Sequence, residues 1–257
     1  MNEVFIVAVA RTPIGSMSGV LSGVTAVELG KQAIQKAIEK AGITGEDVQE
    51  VIMGNVIQAN NGQAPARQAA LGAGVTVSAT CTTINKVCAS GMKAVILGAQ
   101  SIMLGDKDIV VAGGMESMTN APFMLENARN GYRYGNGGLI DSIVKDALQD
   151  PYSKEMMGCS GDRCAAKYSF SREDQDAFAL ESYRRAAEAH KNGWFNDELF
   201  PVEIKGRGES TFVSDDEEYK KLKADKVASL KPAFGKEGTV TAVNASKIND
   251  GAVALVL

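Results

Sequence analysis

Over its first 114 residues the chain alternates short apolar runs with amphipathic ones, and after that the rhythm is lost. Glu3 to Ala10 (EVFIVAVA) is an apolar run suited to a buried strand, followed by the turn-like Arg11-Thr12-Pro13-Ile14-Gly15. Leu29, Ala33, Ile34, Ala37 and Ile38 then recur at helical spacing. Thr25 and Glu28 have the spacing of a capping box ahead of them, and Gly42 is the stop. Val51 to Val56 predicts a second strand, and Pro65 opens a helix carrying Arg67 to Leu71. Thr80 to Ile84 is β-branched and leads, through Cys88, to a helix from about Ala89 to Met103 that stops at Gly105. That helix is apolar nearly all round (Val95, Ile96, Leu97, Ala99, Ile102) and is expected to be buried. Strands alternating with helices predict βαβ units: an α/β fold with a largely parallel sheet covered on both faces.

Residues 115–160 are rich in Met, Asn, Gly and Tyr, with weak periodicity. Ser171 caps a helix running through His190, with Phe178, Leu180, Tyr183, Ala186 and Ala187 as its apolar positions and Asn192-Gly193 as its end. A charged stretch, SDDEEYKKLKADK, follows. Gly238 to Leu257 reads as a strand (TVTAV), a polar turn (NASKINDG) and a buried strand (AVALVL). Strands at 4–10, 51–56, 79–84, 108–112 and 252–257 are expected to share one sheet, with residues 115 to about 238 inserted in it. The final AVALVL carries no polar cap, which points to a piece of a longer protein.

The composition narrows the function classes. Of 257 residues, 45% are hydrophobic and 23% charged, with a formal net charge of −4, so nucleic acid is not the expected partner. No apolar run approaches a membrane span, and the N-terminus lacks the pattern of a signal peptide. The four cysteines (Cys81, Cys88, Cys159, Cys164) form no CxxC pair and no zinc-type spacing with His190, the single histidine. Free thiols and a cytoplasmic location are expected.

Cys88 is the candidate for chemistry. It sits where a strand hands over to a helix, and the backbone N–H groups and dipole of a helix start favour a thiolate. Ala89, Ser90 and Gly91 let a substrate approach closely. Two readings stand on this pattern alone: a nucleophile, or a small hydrophobe filling a core site. A cysteine nucleophile ordinarily has a base beside it, and His190 sits in the last turn of its helix, where a basic residue usually just opposes the negative end. Gly113-Gly114-Met115-Glu116-Ser117 matches no phosphate-loop spacing and reads as tight packing. Met156, Met157 and Gly158 could line a soft hydrophobic surface or pack in a core. Lys220, Lys221, Lys223, Lys226 and Lys231 form a solvated face or a phosphate-holding group.

The stretch Ile84-Asn85-Lys86-Val87-Cys88-Ala89-Ser90-Gly91-Met92-Lys93-Ala94 resembles the active-cysteine signature of the thiolases, and within them of the biosynthetic acetoacetyl-CoA thiolases (acetyl-CoA C-acetyltransferases). The likeness runs along the whole chain. It includes Arg11-Thr12-Pro13-Ile14-Gly15, Gly54-Asn55-Val56 with Pro65-Ala66-Arg67-Gln68, Gly113 to Met118, and Gly238 to Ala242 running into Asn244-Ala245-Ser246. The resemblance implies a layered α-β-α thiolase fold. Residues 1–114 with 239–257 would be the first of its two similar halves, and 115–238 an inserted α+β loop domain that binds coenzyme A. It implies that Cys88 becomes acetylated, that Ser246 contacts the pantetheine, and that Met157 and Phe234 line its channel. By the same match Ala242 belongs to the CoA site, and Lys221 lies near the adenine and phosphates. The substrates implied are acetyl-CoA and acetoacetyl-CoA, with no further cofactor and no metal, in a homo-oligomer (dimer or tetramer).

The sequence departs from the family pattern in two ways. Met156 stands where biosynthetic members often have His, and the family's C-terminal half is absent. That half carries an Asn-Glu-Ala-Phe segment, a Gly-His-Pro histidine and a second, proton-shuttling cysteine, so this chain alone is expected to be inactive. A degradative 3-ketoacyl-CoA thiolase of broader chain length and a non-catalytic CoA-binding half-thiolase are the competing readings.

Overall fold

Helix α1, Ala26–Ala41, forms from the local signals that predict it. Thr25 Oγ1 accepts the Glu28 N–H at 3.2 Å, and Gly42 closes the helix in the left-handed conformation (φ 69°). In chain order the other elements are β1 Ala8–Arg11 and β2 Gly15–Ser16 before α1, then β3 Glu50–Gly54, α2 Pro65–Gly72, β4 Thr80–Ile84, α3 Ser90–Met103 and β5 Val110–Ser117. They continue with β6 Phe123–Leu125, β7 Leu139–Asp141, α4 Met157–Tyr168, α5 Arg172–Lys191, β8 Val202–Ile204, β9 Thr211–Val213 and β10 Asn249–Val256. The computed structural model describes residues 2–204 and 209–257. The chain packs as two units: Met1–Pro122 with Phe195–Glu217 and Asn249–Leu257, and Phe123–Trp194 with Glu218–Ile248.

The first unit is a mixed sheet in the order β1-β10-β5-β3-β4, with β2 also paired to β10. The five predicted strands do share one sheet, but it is not largely parallel. β3 runs parallel to β4 and β5, whereas β10 is antiparallel to β1, β2 and β5. A compact helical crossover enforces parallel pairing, and the long excursion between β5 and β10 does not. Successive residues of β3 point to opposite faces. Val51 and Met53 join Leu29, Ala33, Ile34 and Ala37 of α1 and Ala66, Ala69 and Ala70 of α2. Ile52 faces the other way, with Ala94 and Ile102 of α3 and with Val110, Ala112 and Leu257.

Three expectations about the sheet need correction. The first strand begins at Ala8, and Phe5, Ile6 and Val7 are 62–68% exposed rather than buried. Helix α3 is not buried all round: only Ser90, Ala94, Gly98 and Ile102 are buried, while Met92 and Ile96 face outward. The segment after Gly114 also does not leave the sheet at once. β5 continues to Ser117, paired with β10, and Phe195–Glu217 returns to the same unit. The unit boundaries therefore differ from the expected 1–114 with 239–257 against 115–238. The return rests on contacts that no periodicity encodes. Arg11 binds Glu198 (2.6 Å) and Asp216 (2.8 Å), Glu217 accepts the Ser16 and Val20 N–H groups, and Phe200 and Val202 enter the α1 core.

In the second unit α5 is capped by Ser171 and ends at Asn192, as predicted, and Asp174 completes a capping box with Ser171. Its buried positions are Asp176, Ala179 and Ala189, however, and Phe178 is 75% exposed. TVTAV is not a strand. Asp162 accepts the Thr239 and Val240 N–H groups at 2.8 and 2.9 Å, and Asp176 binds Asn244 Nδ2 at 3.0 Å. Helix side chains thus take the backbone and turn groups that a β partner would otherwise satisfy. The polar residues after it are likewise not a hairpin turn, and β10 begins within them at Asn249.

Candidate active site

Cys88 lies at the end of the parallel part of the sheet, where Gly54 of β3 is level with Ile84 of β4 and Gly114 of β5. Open α/β sheets present ligand sites at the carboxyl ends of such strands. Three glycines bring α3 down onto this end. A Cβ on Gly54 would lie 2.6 Å from Ser90 Cβ, and one on Gly114 would touch Gly91 Cα at 3.4 Å. The first turn of α3 therefore rests directly on the sheet. Cys88, two residues before Ser90, is exposed. Of the two readings of Cys88, the buried core filler is excluded by that exposure.

The turn Asn85–Ala89 is held from both sides. Val87 has φ +51°, the left-handed region that a β-branched residue rarely enters. Its N–H donates to Asn85 Oδ1 at 2.8 Å, and its carbonyl accepts Ser90 Oγ at 2.6 Å. Ser90 Oγ also accepts the Lys86 N–H at 2.8 Å, and Ser90 is buried. Asn85 Nδ2 reaches the Val56 carbonyl at 3.3 Å, which ties the cysteine turn to the loop after β3.

That loop is held by Glu116, whose role the sequence reading missed. Its carboxylate accepts Val56 N–H at 2.7 Å, Asn55 Nδ2 at 2.9 Å and Ile57 N–H at 3.3 Å. Burial pushes its pKa up, partly offset by these three donors, which favour the ionised form. The available signal was a carboxylate on a strand that reads as core, where an unpaired charge is too costly to leave. Of the other cysteines, Cys81 is half-buried, and burial raises the pKa of its thiol.

The residues expected to bind coenzyme A all lie in the second unit. Phe234 packs its ring against Gly158, leaving no room for a Cβ there, and so stands beside Met157, the first residue of α4. Ala242 and Ser246 share one loop, closed by Lys247 Nζ donating to the Ala242 carbonyl. Ser246 lines an open cavity of about 770 Å³ with Phe178, Tyr183, Tyr219 and Lys247, and the outward apolar positions of α5 form one wall. Lys221, exposed, ends the short 3₁₀ turn Glu218–Lys221 that supplies Tyr219 to this cavity. His190 stacks on Tyr219, with ring centroids 4.6 Å apart and planes 10° from parallel. The first unit contains no histidine.

The sequence and the fold of this chain both match those of known proteins. The family model for the thiolase N-terminal domain matches residues 4–257, and the chain belongs to the thiolase family. It is 54% identical over 258 residues to a probable acetyl-CoA acetyltransferase of Dictyostelium discoideum, covering all of this chain and 62% of that protein. It is 53% identical over 259 residues to the mitochondrial acetyl-CoA acetyltransferase of Mus musculus, of which it covers 61%. A crystal structure of an Ascaris suum thiolase in complex with coenzyme A superposes with a TM-score of 0.95 at 43% identity. That match spans 99% of this chain and 65% of the other. The chain thus spans less than two thirds of the length of these relatives. A cytosolic acetyl-CoA acetyltransferase of Gibberella zeae is 54% identical over 259 residues, with 65% of it covered. The relatives therefore include both cytosolic and mitochondrial proteins, and no described helix here is long and apolar enough to cross a membrane.

Proposed function

We propose that Cys88 is the acyl-accepting nucleophile of an acetyl-CoA C-acetyltransferase. The observation that carries this reading is the exposed Cys88 on a turn held at the start of α3. In the first step the thiolate attacks the thioester carbonyl of acetyl-CoA. The new S–C bond forms, the bond to the CoA sulfur breaks, and acetyl-Cys88 and free coenzyme A result. In the second step a base removes a proton from the methyl group of another acetyl-CoA. The resulting carbanion attacks acetyl-Cys88, releasing the thiolate and acetoacetyl-CoA. Thiolysis is the reverse. The relatives named acetyl-CoA acetyltransferase and the neighbour solved with coenzyme A support the substrate class.

In this reading Ser246 contacts the pantetheine, Ala242 belongs to the CoA site, Met157 and Phe234 line the pantetheine channel, and Lys221 lies near the adenine and phosphates. Only the CoA thioesters are needed. The unpaired outer edge of β4, among the described residues, supports a homo-oligomer, since an open edge strand invites pairing with another copy. We place the protein in the cytosol, in line with its cytosolic relative.

One observation favours a more limited role for the chain as given. The single histidine, His190, belongs to the other unit and stacks on Tyr219 there, and general acid–base help contributes about 10²–10⁴-fold. Turnover by the 257 residues alone is therefore expected near background. The test is incubation with acetyl-CoA followed by peptide mass spectrometry, alongside thiolysis of acetoacetyl-CoA followed by its absorbance. One acetyl group on Cys88, lost in Cys88→Ala, supports the nucleophile. Acetylation elsewhere, or none in a longer protein carrying the rest of the thiolase fold, overturns it.

A further inference from the structure

We infer that Asn85, backed by Glu116, is a positioning residue that holds Val87 in the left-handed conformation and thereby sets the direction of Cys88. The inference deepens the reading of Cys88 as nucleophile and rests on it.

Valine is a poor choice for φ +51°, because its two γ-carbons crowd the backbone there. Such a conformation persists only where the surroundings over-determine it. Here the N–H of Val87 is held by Asn85 Oδ1 and its carbonyl by Ser90 Oγ, so both of its backbone polar groups are bound by side chains. Ser90 is fixed by burial against Gly54. Asn85 is exposed, and what anchors it is its second bond, from Nδ2 to the Val56 carbonyl. Val56 is anchored in turn by Glu116, through its N–H. A continuous chain of hydrogen bonds runs from a sheet carboxylate, through the 55–57 loop and Asn85, to the residue before the cysteine. Once held, valine permits the turn far fewer alternatives than glycine would, so the cysteine has one direction.

The test uses the fact that glycine takes φ > 0 without strain. If Asn85 works by holding Val87 there, replacing Val87 with glycine makes Asn85 dispensable. Two readouts are taken on the 257-residue chain: iodoacetamide labelling of Cys88 by peptide mass spectrometry, and hydrogen exchange at the Val87 and Cys88 amides. Asn85→Ala should slow Cys88 labelling about tenfold and speed exchange at Val87, a size fitting the loss of one bond that opposes strain. In the Val87→Gly background the same change should alter labelling by less than about twofold. Asn85→Asp keeps the acceptor and should retain most of the Val87 protection. Glu116→Gln should fall between, slowing labelling about threefold, because a neutral amide oxygen is a weaker acceptor than a carboxylate. Should Asn85→Ala fail to fold, Glu116→Gln with and without Val87→Gly carries the same comparison. Equal effects in the two backgrounds, or unchanged exchange at Val87, would overturn the inference. If Cys88 in the unaltered chain labels no faster than Cys164, the nucleophile reading fails, and the exchange readout still decides the role of Asn85.

Discussion

The sheet of the first unit has two faces, and they are covered by opposite strategies. On one, α1 is amphipathic and buries seven residues, from Ala26 to Ile38, under a polar outer side. On the other, α3 is much more apolar, yet it buries only Ser90, Ala94, Gly98 and Ile102. Three of those four are small, so α3 approaches the strands closely, and Gly98 leaves its space to Val110 and Leu257. Of the larger side chains of α3, Met92 and Ile96 point away from the sheet, 70% and 43% exposed, and Val95 and Leu97 are only partly buried against it. Apolar content measures what a helix could bury, whereas contact with the sheet depends on which side chains are short enough to allow it. The α1 face is a packed core. The α3 face holds the start of its helix tightly, two residues after Cys88.

The strongest challenge to this contrast is Gly54→Ala, which would drive a methyl group into Ser90 and Gly91 beneath the cysteine turn. Overpacking of this kind should cost about 2–3 kcal/mol and lower Cys88 labelling in the same sample. A stable variant with unchanged labelling would show that α3 does not depend on that contact. Next comes a matched pair of isoleucines. Ile34→Ala, at a fully buried site in α1, should lower stability by about 2–4 kcal/mol in a urea melt. Ile96→Ala, on the outer side of α3, should stay within about 0.5 kcal/mol. Equal losses would mean that the outer side of α3 is covered in solution.

Smaller effects sharpen the comparison at its ends. Thr25→Ala removes the cap from α1 and should cost about 1 kcal/mol, while α3 has no side-chain cap to lose. The smallest concerns α5, which carries a cluster of exposed ion pairs at Glu181, Arg184, Arg185 and Glu188. Hydrogen bonds from Arg184, then Arg185, hold the Glu181 carboxyl down at about 2 from its ordinary 4.5. A depressed carboxylate pKa contributes stability above the unfolded value and loses it as pH falls through the folded one. The gap in melting temperature between the wild type and Glu181→Gln should therefore shrink as pH drops from about 4.5 to about 2. A gap independent of pH in that window would remove the ion pairs from the account of α5.

The elements that sequence reading placed well are those defined by neighbours along the chain. Thr25, Gly42, Pro65 and Ser171 are local signals, and each marks a helix end as predicted. The misplaced segments were decided by distant residues. Val240 and Thr239 alternate as a strand would, but Asp162 takes their N–H groups from another helix. Phe195–Glu217 reads as insertion, but Arg11 recovers it through Glu198 and Asp216. The place of Cys88 at a strand-to-helix turn was legible because a helix start and small neighbours follow it directly. Glu116 was not, because its partners lie about 60 positions earlier.

By itself, then, the sequence determined the helix ends, the strands that would share one sheet, and the place of Cys88 just before a helix start. These follow from periodicities and side-chain-to-backbone bonds that close within a turn or two of chain. Only the tertiary structure decided the antiparallel entry of β10, the open side of α3, the extent of the two units and the hold on Val87. Each of these depends on groups brought together from far along the chain, and on the rule that a polar group taken out of water must find a partner wherever the fold supplies one.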